Sequence, residues 1–568
     1  MNRSSLDSKH KIIFSRANTP DTLSTHSHTH SHTHSHFPRC HTYDSSKRST
    51  YTRMTSEGAV SEWMSEPDSE NMSIYNTVDS NSNTCTNKEI QENISSKMTF
   101  FLFFFGNQNI HMENENKWNY LCFCVGICLS TAPVISTLFW APVLLNHHYA
   151  GIGNGCFFLV YAFTSLCLAK SITQVLGCGR TFWFCHAGNL FYCLCFMIEF
   201  TVLLEKFNVD MSTNGAFYPL VASIGGFSQS LMWTAHVKYF NRSAQLMLKS
   251  MNVMDIENLN RSLASTFAFT YFTCLIMVFL ISCLVLFRDF SANELLVYLV
   301  PVYLSTVVFS TYCLCRLDHM GDNGDDWANF QFRRGLLEMM YSIRQLPTGM
   351  SRKLLYLIPY HVAWGCTNAF WVYYMLGEVV NNQQGWGYIG VVCVIDFSTS
   401  LAFSFLSNKI TKWASSSQTP MIIWGWMCMT TIGLLVLTLS NDQLGTRRRI
   451  VGYAMTHGMA RSVYENNHKA LIANFFPEHE TVAYSVTSFS KTLAAGITFF
   501  YYSFLVSRNF FGGTIIVTSF IGIAGYWTAN IINTREISEG YQSMRPSSVS
   551  LIPSEATSES LMFVADYF

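Results

Sequence analysis

The sequence has little charge and no excess of either sign. Only 13% of its 568 residues are Asp, Glu, Lys or Arg, and 36 basic side chains balance 36 acidic ones. Without a net field there is no electrostatic reason to expect nucleic acid as a partner. Apolar residues make up 49% of the chain and lie in long blocks, which is typical of a protein embedded in a lipid bilayer.

The sequence also lacks the motifs of soluble catalytic domains. It contains no Walker A loop, no glycine-rich dinucleotide fingerprint opening a helix, no GxSxG elbow and no HExxH zinc motif. The missing nucleotide loop argues against ATP-driven transport, and we expect neither an enzyme nor a bound cofactor. Secondary transport, a channel-like role and binding without transport remain.

Residues 1–97 contain no apolar run of the kind that a secretory signal peptide needs, so we expect membrane insertion to begin at the first transmembrane helix. Their content of Ser, Thr, Asn and charge predicts a disordered cytoplasmic region, which we extend to residue 116. Six histidines in this region alternate with Ser or Thr: His26, His28, His30, His32, His34 and His36. Such a tract can chelate a transition metal, but strict alternation fixes no coordination geometry, so low-complexity drift explains it better and we predict no metal site.

From Lys117 onward the sequence predicts twelve apolar segments of about 20 to 25 residues, each long enough to cross a hydrocarbon layer about 30 Å thick. A polar connection at 316–353 separates the sixth segment from the seventh. We therefore predict an all-α, polytopic membrane protein with twelve transmembrane helices in two six-helix halves, at 117–315 and 354–535. The connection is predicted to be a cytoplasmic linker, and residues 536–568 a disordered cytoplasmic tail.

Basic residues in the loops set the expected orientation. Thirteen Lys and Arg residues lie in loops on the N-terminal side of the membrane and six in loops on the other side, so we expect both termini in the cytoplasm. The arginine run 447–449 is an exception, because it lies on the side with fewer basic residues. The tail contains Tyr541-Gln-Ser-Met544, which fits the pattern that endosomal sorting adaptors bind. The protein could therefore be located in the plasma membrane or in an endosomal membrane.

A stripe of charged side chains on the tenth predicted helix is the main functional signal. His457, Arg461, Glu465 and Lys469 are four residues apart and drift by about 40° per step, so they share one broad face. A charge at the bilayer centre costs about 2.5 to 3.5 kcal/mol, so such side chains turn toward protein or water. Within the helix, Glu465 is spaced to neutralise both Arg461 and Lys469.

The same segment admits a second interpretation. The apolar stretch 450–460 is short, so the span could end at Ala460, with 461–469 lying as an amphipathic helix in the membrane interface. The spanning interpretation is favoured because it preserves two halves of six helices and because the apolar run resumes at 470–476.

Other polar residues within the spans complete the predicted site. Asp396 lies about eleven residues into its span, where a carboxylate needs a cationic partner, and Arg461 or Lys469 is the expected one. The residues that we expect around a central cavity or an internal lock are Gln229, Trp233, His361, Asp396, Arg461, Glu465, Asn466, Asn467, His468 and Lys469.

The fourth and tenth predicted helices share a weak internal similarity. GFSQSLMWTAHV at 226–237 aligns with GMARSVYENNHK at 458–469 through a common offset of 232 residues. The identical pairs are Gly226 with Gly458, Ser230 with Ser462 and His236 with His468. The alignment supports a repeat in which only the C-terminal copy carries charges.

Three segments carry a likeness to a known family: YAFTSLCLAKSITQVLGCGR at 161–180, LMWTAHVKYF at 231–240 and YENNHKALIANFF at 464–476. They resemble segments of the Unc-ninety-three-like (ion channel regulatory protein) family, a branch of the major facilitator superfamily. Lys170 and Ser171 depart from the superfamily's acidic loop pattern, which has Gly and Asp there. The resemblance implies the major facilitator fold and a role as regulator or escort of another membrane protein, such as a potassium channel.

Two functions are therefore open. The resemblance implies a regulator with a membrane-protein partner, a channel or a receptor. The buried charges instead suggest a secondary transporter of a small charged solute, in which Glu465 and Asp396 exchange protons while Arg461 and Lys469 hold an anionic group. Metal transport fed by the histidine tract is less favoured, because no span has paired His and Asp ligands at helical spacing.

Overall fold

The computed structural model describes residues 114–199, 215–251, 256–286, 292–315, 344, 348–413, 418–476, 479–504 and 507–544. Residues 1–113 and 545–568 of the predicted disordered regions, the histidine tract and nearly all of the predicted linker lie outside these residues. The rest of the predicted disordered regions, 114–116 and 536–544, is helical instead, because the first and last long helices extend into it. The residues described are helical apart from short turns, and none of them forms a β-strand.

Twelve long helices, α1 to α12, follow one another in this part of the chain, and each overlaps one of the predicted spans. They are α1 Asn114–Leu144, α2 His147–Cys167, α3 Ala169–Ile198, α4 Tyr218–Met251, α5 Ile256–Leu286, α6 Ala292–Cys315, α7 Thr348–Phe370, α8 Gly387–Trp413, α9 Thr419–Thr438, α10 Arg447–Phe475, α11 Glu480–Phe504 and α12 Arg508–Met544. α7 continues directly as a π-helix, Trp371–Val380, and begins five residues before the predicted end of the linker.

The exterior of the helix bundle suits a lipid environment. Seven of the described helices are long and apolar enough to cross a membrane by length and composition. Large apolar side chains such as Phe163, Phe217 and Leu220 are exposed at the surface, where hydrocarbon rather than water would cover them. The chain is an integral, multi-pass membrane protein.

The helices pack as two equivalent halves. In the first half, α1 packs on α5 and α6, α4 packs on α2 and α3, and α3 packs on α6. In the second half, α7 packs on α11 and α12, α10 packs on α8 and α9, and α9 packs on α12, so each contact recurs six helices later. The halves meet through α2 with α11 and α5 with α8, which the same exchange also relates. This arrangement confirms the predicted fold of two six-helix halves.

Equivalent glycines allow a close helix crossing in each half. A Cβ atom on Gly226 of α4 would collide with the carbonyl oxygen of Phe157 in α2, and one on Gly458 of α10 would collide with the carbonyl oxygen of Asp396 in α8. These two glycines are the pair that the 232-residue offset aligns. The weak sequence similarity therefore marks one packing contact that both halves share.

Gly458→Ala should destabilise the protein, because the added methyl group has no room beside the α8 backbone and must push α10 away. We expect a lower apparent melting temperature of the detergent-purified protein, measured by size-exclusion chromatography after heating. Gly452→Ala on the same helix is the matched control: a Cβ there meets nothing within 4 Å, and alanine raises helix propensity by about 0.8 to 1.0 kcal/mol. Equal melting temperatures for the two variants would contradict the close crossing.

Candidate functional site

The charged stripe lies on a single continuous helix. α10 runs unbroken from Arg447 to Phe475. His457 is 0% exposed, Arg461 4% and Lys469 7%, so the stripe faces protein. An amphipathic helix in the membrane interface would leave these groups in water. The spanning interpretation therefore fits, and the one that ends the span at Ala460 does not.

A carboxylate on α8 binds two members of the stripe. Oδ1 of Asp396, which is fully buried, lies 3.0 Å from Nδ1 of His457, and Oδ2 lies 3.4 Å from Nε of Arg461. Arg461 also donates through Nη2 to Oδ1 of Asn368 on α7, at 3.0 Å. The expected pair of Asp396 and Arg461 is present, and it stabilises two charges that would each be costly to bury alone.

Aromatic rings enclose this ion pair. The guanidinium of Arg461 lies 4.9 Å from the ring centroid of Phe397 and 5.7 Å from that of Phe139, which belongs to α1. The imidazole of His457 stacks on Trp371 with a centroid distance of 4.5 Å. These rings exclude water, which strengthens the electrostatic contacts among the charged groups. Through Phe139, the site reaches the interface between the halves.

Lys469 lies at the same interface, about two helical turns further along α10. Its Nζ is 3.4 Å from the ring centroid of Phe267 on α5 and 4.8 Å from that of Trp233 on α4, so cation–π attraction holds it against the first half. Trp233 in turn donates to Gln229 at 3.1 Å. Nζ of Lys469 makes no hydrogen bond to any described residue.

Glu465 makes no close ion-pair contact with Arg461 or Lys469, although its spacing on α10 allows one. Among the described residues it forms no ion pair, because Arg461 has turned to Asp396 on α8 and Lys469 to the rings of the first half. Glu465 is half-buried and lies within electrostatic range of Lys469 and of Lys491 on α11. The spacing predicted which groups are neighbours but not which partners they choose.

Two predicted histidines meet beside Tyr464. Nδ1 of His361 on α7 lies 2.8 Å from the Tyr464 hydroxyl, and the ring of His468 lies 4.5 Å from that of His361. Nζ of Lys491 lies 5.5 Å from the Tyr464 ring centroid. Lys491 was missed at the sequence level although it is the eleventh residue of its predicted span, the same signal that singled out Asp396.

The two predicted asparagines contact their own half. Asn466 accepts a hydrogen bond from Ser404 on α8 and donates to Ser462, and Asn467 donates to the carbonyl oxygen of Val463 on its own helix. Asn466 therefore joins α10 to α8, whereas the bond of Asn467 stays within α10. Among the described residues no group of three or more His, Cys, Asp or Glu side chains could hold a metal ion, and the histidine tract lies outside them.

Contacts between the halves close the charged centre toward the far face, which is the face where α1 ends and α10 begins. Nε2 of His147 on α2 lies 2.8 Å from the carboxylate of Glu378 in the π-helix, and the Tyr373 hydroxyl lies 2.6 Å from Nδ1 of His147. Neither His147 nor its partners stood out in the sequence, because they lie more than 200 residues apart in the chain.

The near face, where α1 begins and α10 ends, is closed by Lys469 and its surroundings. A cavity of about 10 Å³ remains there, with Lys469, His236, Glu480 and Tyr484 among its lining residues. This volume holds about one water molecule. Contacts between the halves therefore lie on both sides of the charged centre.

No family model and no curated protein matches the chain. Neither comparison therefore supports the resemblance to the Unc-ninety-three-like family. Among solved structures, the chain is similar to a bacterial homologue of the iron transporter ferroportin in an outward-facing state, with 13% identity over 74% of this chain and 99% of that chain and a TM-score of 0.50. It is also similar to the major facilitator superfamily proton:xylose symporter XylE (13% identity, 72% and 93% covered, TM-score 0.46) and to the nucleoside transporter NupG (11%, 74% and 99%, 0.45). At these identities the likeness shows the fold alone, which is the major facilitator fold.

Asp396→Asn should destabilise the protein, because it removes the carboxylate opposite Arg461 at nearly constant volume. An unpaired buried charge costs about 3 to 5 kcal/mol, so we expect a lower midpoint in thermal unfolding followed by intrinsic fluorescence in detergent. The double variant Asp396→Asn with Arg461→Gln removes both charges and should recover much of that loss. Asp442→Asn, an exposed aspartate in the short helix Asn441–Leu444 at the far face, is the matched control. A double variant whose loss equals the sum of the single losses would argue against the pair.

Proposed function

We propose that the chain is a secondary transporter that moves a small charged solute across a membrane by alternating access between its two halves. The observation that carries the proposal is the position of the buried charges. Arg461 reaches Phe139 of the first half, and Lys469 lies against Trp233 and Phe267 of the same half. In transporters built from two repeats, solute and coupling ions bind near the midplane at the interface between the repeats.

The closures on the two sides of the centre support alternating access. The far face opens when His147 separates from Glu378 and Tyr373. The near face opens when Lys469 leaves the rings of the first half. Each closure joins residues of different halves. Rocking one half against the other therefore breaks the closure at one face while the closure at the other face stays intact.

Asp396 provides a means of proton coupling. When it is ionised, it binds Arg461 and His457 together. A proton on its carboxylate removes the charge that holds the guanidinium of Arg461 and so weakens the contact between α8 and α10. Glu465, half-buried and without an ion partner among the described residues, is the second carboxylate that can carry a proton.

The alternative function is regulation or escort of another membrane protein, which rests on the sequence resemblance alone. A set of buried charges could also serve such a protein as an internal lock. The two functions differ in one requirement: a transporter must expose these charges to each side of the membrane in turn, and a lock need not.

Uptake by reconstituted vesicles across a panel of anionic, cationic and neutral solutes tests the proposal. We expect uptake of at least one charged solute, and we expect Glu465→Gln to lower that uptake about tenfold, equivalent to about 1.4 kcal/mol, because the variant loses the titratable carboxylate at the interface. Asp442→Asn should transport like the wild type.

Flux that no solute elicits, or that Glu465→Gln leaves unchanged, would count against transport through this site. Capture of a stable channel or receptor partner by the same purified protein would then favour regulation.

A further inference from the structure

The charge balance at the interface between the halves is uneven. Asp396 and Arg461 neutralise each other, which leaves Glu465 as one carboxylate facing the two ammonium groups of Lys469 and Lys491. The two ammonium groups repel each other, and both are attracted to Glu465. These three side chains together carry one net positive charge, and Glu480, which lines the near-face cavity with Lys469, is a second carboxylate close by.

Unused hydrogen-bonding groups surround the same place. Nζ of Lys469 and both ring nitrogens of His236 and His468 are buried without a hydrogen-bond partner among the described residues. Lys469 is 7% exposed, His468 3% and His236 0%. Buried ammonium groups normally have an oxygen ligand, because cation–π contacts with aromatic rings offset only part of the free-energy cost of desolvating the charge.

The small cavity at the near face adjoins these groups. Lys469 and His236 both line it. Glu480 lines it too, half-buried and hydrogen-bonded to the side chain of Asn241, which is another lining residue. The cavity is too small for a solute in this closed arrangement, but it is the place that enlarges when Lys469 leaves the rings.

We propose that the transported solute is an anion, and that Lys469 and Lys491 together bind its acidic group at the interface between the halves. This inference rests on the proposed function and names its solute class. Arg461, which the sequence suggested as one of the anion ligands, is engaged by Asp396 and Asn368 and holds α10 to α7 and α8 instead. Lys491, on α11, takes its place as the second ligand.

Binding of an anion also acts on the near-face closure. An acidic group competes with the rings of Phe267 and Trp233 for the Lys469 ammonium, and an ammonium group forms a stronger contact with an oxyanion than with a ring. The solute therefore draws Lys469 from the first half toward Lys491. Solute binding and release of the closure become one event.

Thermal stabilisation of the purified protein in detergent tests the anion site. The probes are acetate, succinate and inorganic phosphate, with choline and xylose as cationic and neutral comparisons, all at one ionic strength set with sodium chloride. A ligand that binds only the folded protein raises its melting temperature in proportion to its occupancy. We expect at least one of the anions to raise the melting temperature, and choline and xylose to leave it unchanged.

The lysine variants assign the effect to its residues. Lys469→Gln and Lys491→Gln should each weaken anion binding about 10- to 100-fold, the usual effect of removing one charged partner, while Lys409→Gln, an exposed lysine at the near face, should bind like the wild type. Lys469→Arg keeps the charge and should keep binding. If Lys469→Gln does not fold, the anion binding of Lys491→Gln and Lys469→Arg tests the assignment instead.

The outcomes separate this inference from the transport proposal. Stabilisation by choline or xylose alone, or equal anion binding by both Lys→Gln variants and the wild type, overturns the anion site. Uptake of a cationic or neutral solute by vesicles overturns it too, while transport stands. Lysine-dependent anion binding without uptake or counterflow of that anion supports the site and overturns transport.

Discussion

The buried pair of Asp396 and Arg461 is the interaction on which the second half is built. Its strength depends on how closely α8 and α10 approach, because a buried pair offsets its desolvation only in good geometry. Gly458 sets that approach: its missing side chain lets α10 rest on the carbonyl oxygen of Asp396 itself. The residue that supplies the carboxylate is thus also the residue on which the helix packs, and His457, beside Gly458, reaches the same carboxylate.

The repeat shows what the two halves share and where they differ. In the first half Gly226 lets α4 rest on the carbonyl oxygen of Phe157, which is the same crossing, but Phe157 brings a ring where the second half has a carboxylate. The first half supplies aromatic rings to the interface, from Phe139 and Phe267, and the second half supplies charges. Two halves with one scaffold therefore meet through unlike surfaces, which lets the contacts between them be made and broken.

Much of this arrangement could be predicted from the sequence. Apolar runs predicted the twelve helices, and helical spacing placed the stripe on one inward face, because both depend on local geometry. Partner choice could not be predicted: Glu465 is one turn from two cations, yet those cations bind groups on α8, α5 and α4, and no spacing rule weighs a neighbour on the same helix against one on another. Likewise, the contact of His147 with Glu378 needs the packed bundle.

The strengths of these contacts indicate which of them would yield first. Breaking a buried ion pair costs about 3 to 5 kcal/mol, whereas a cation–π contact contributes about 0.5 to 2 kcal/mol. The strong contact, Asp396 with Arg461, lies within the second half, and the weak one, Lys469 with Phe267, lies between the halves. The contact of Lys469 with Phe267 should therefore yield before the ion pair does, for example to an ion that binds Lys469.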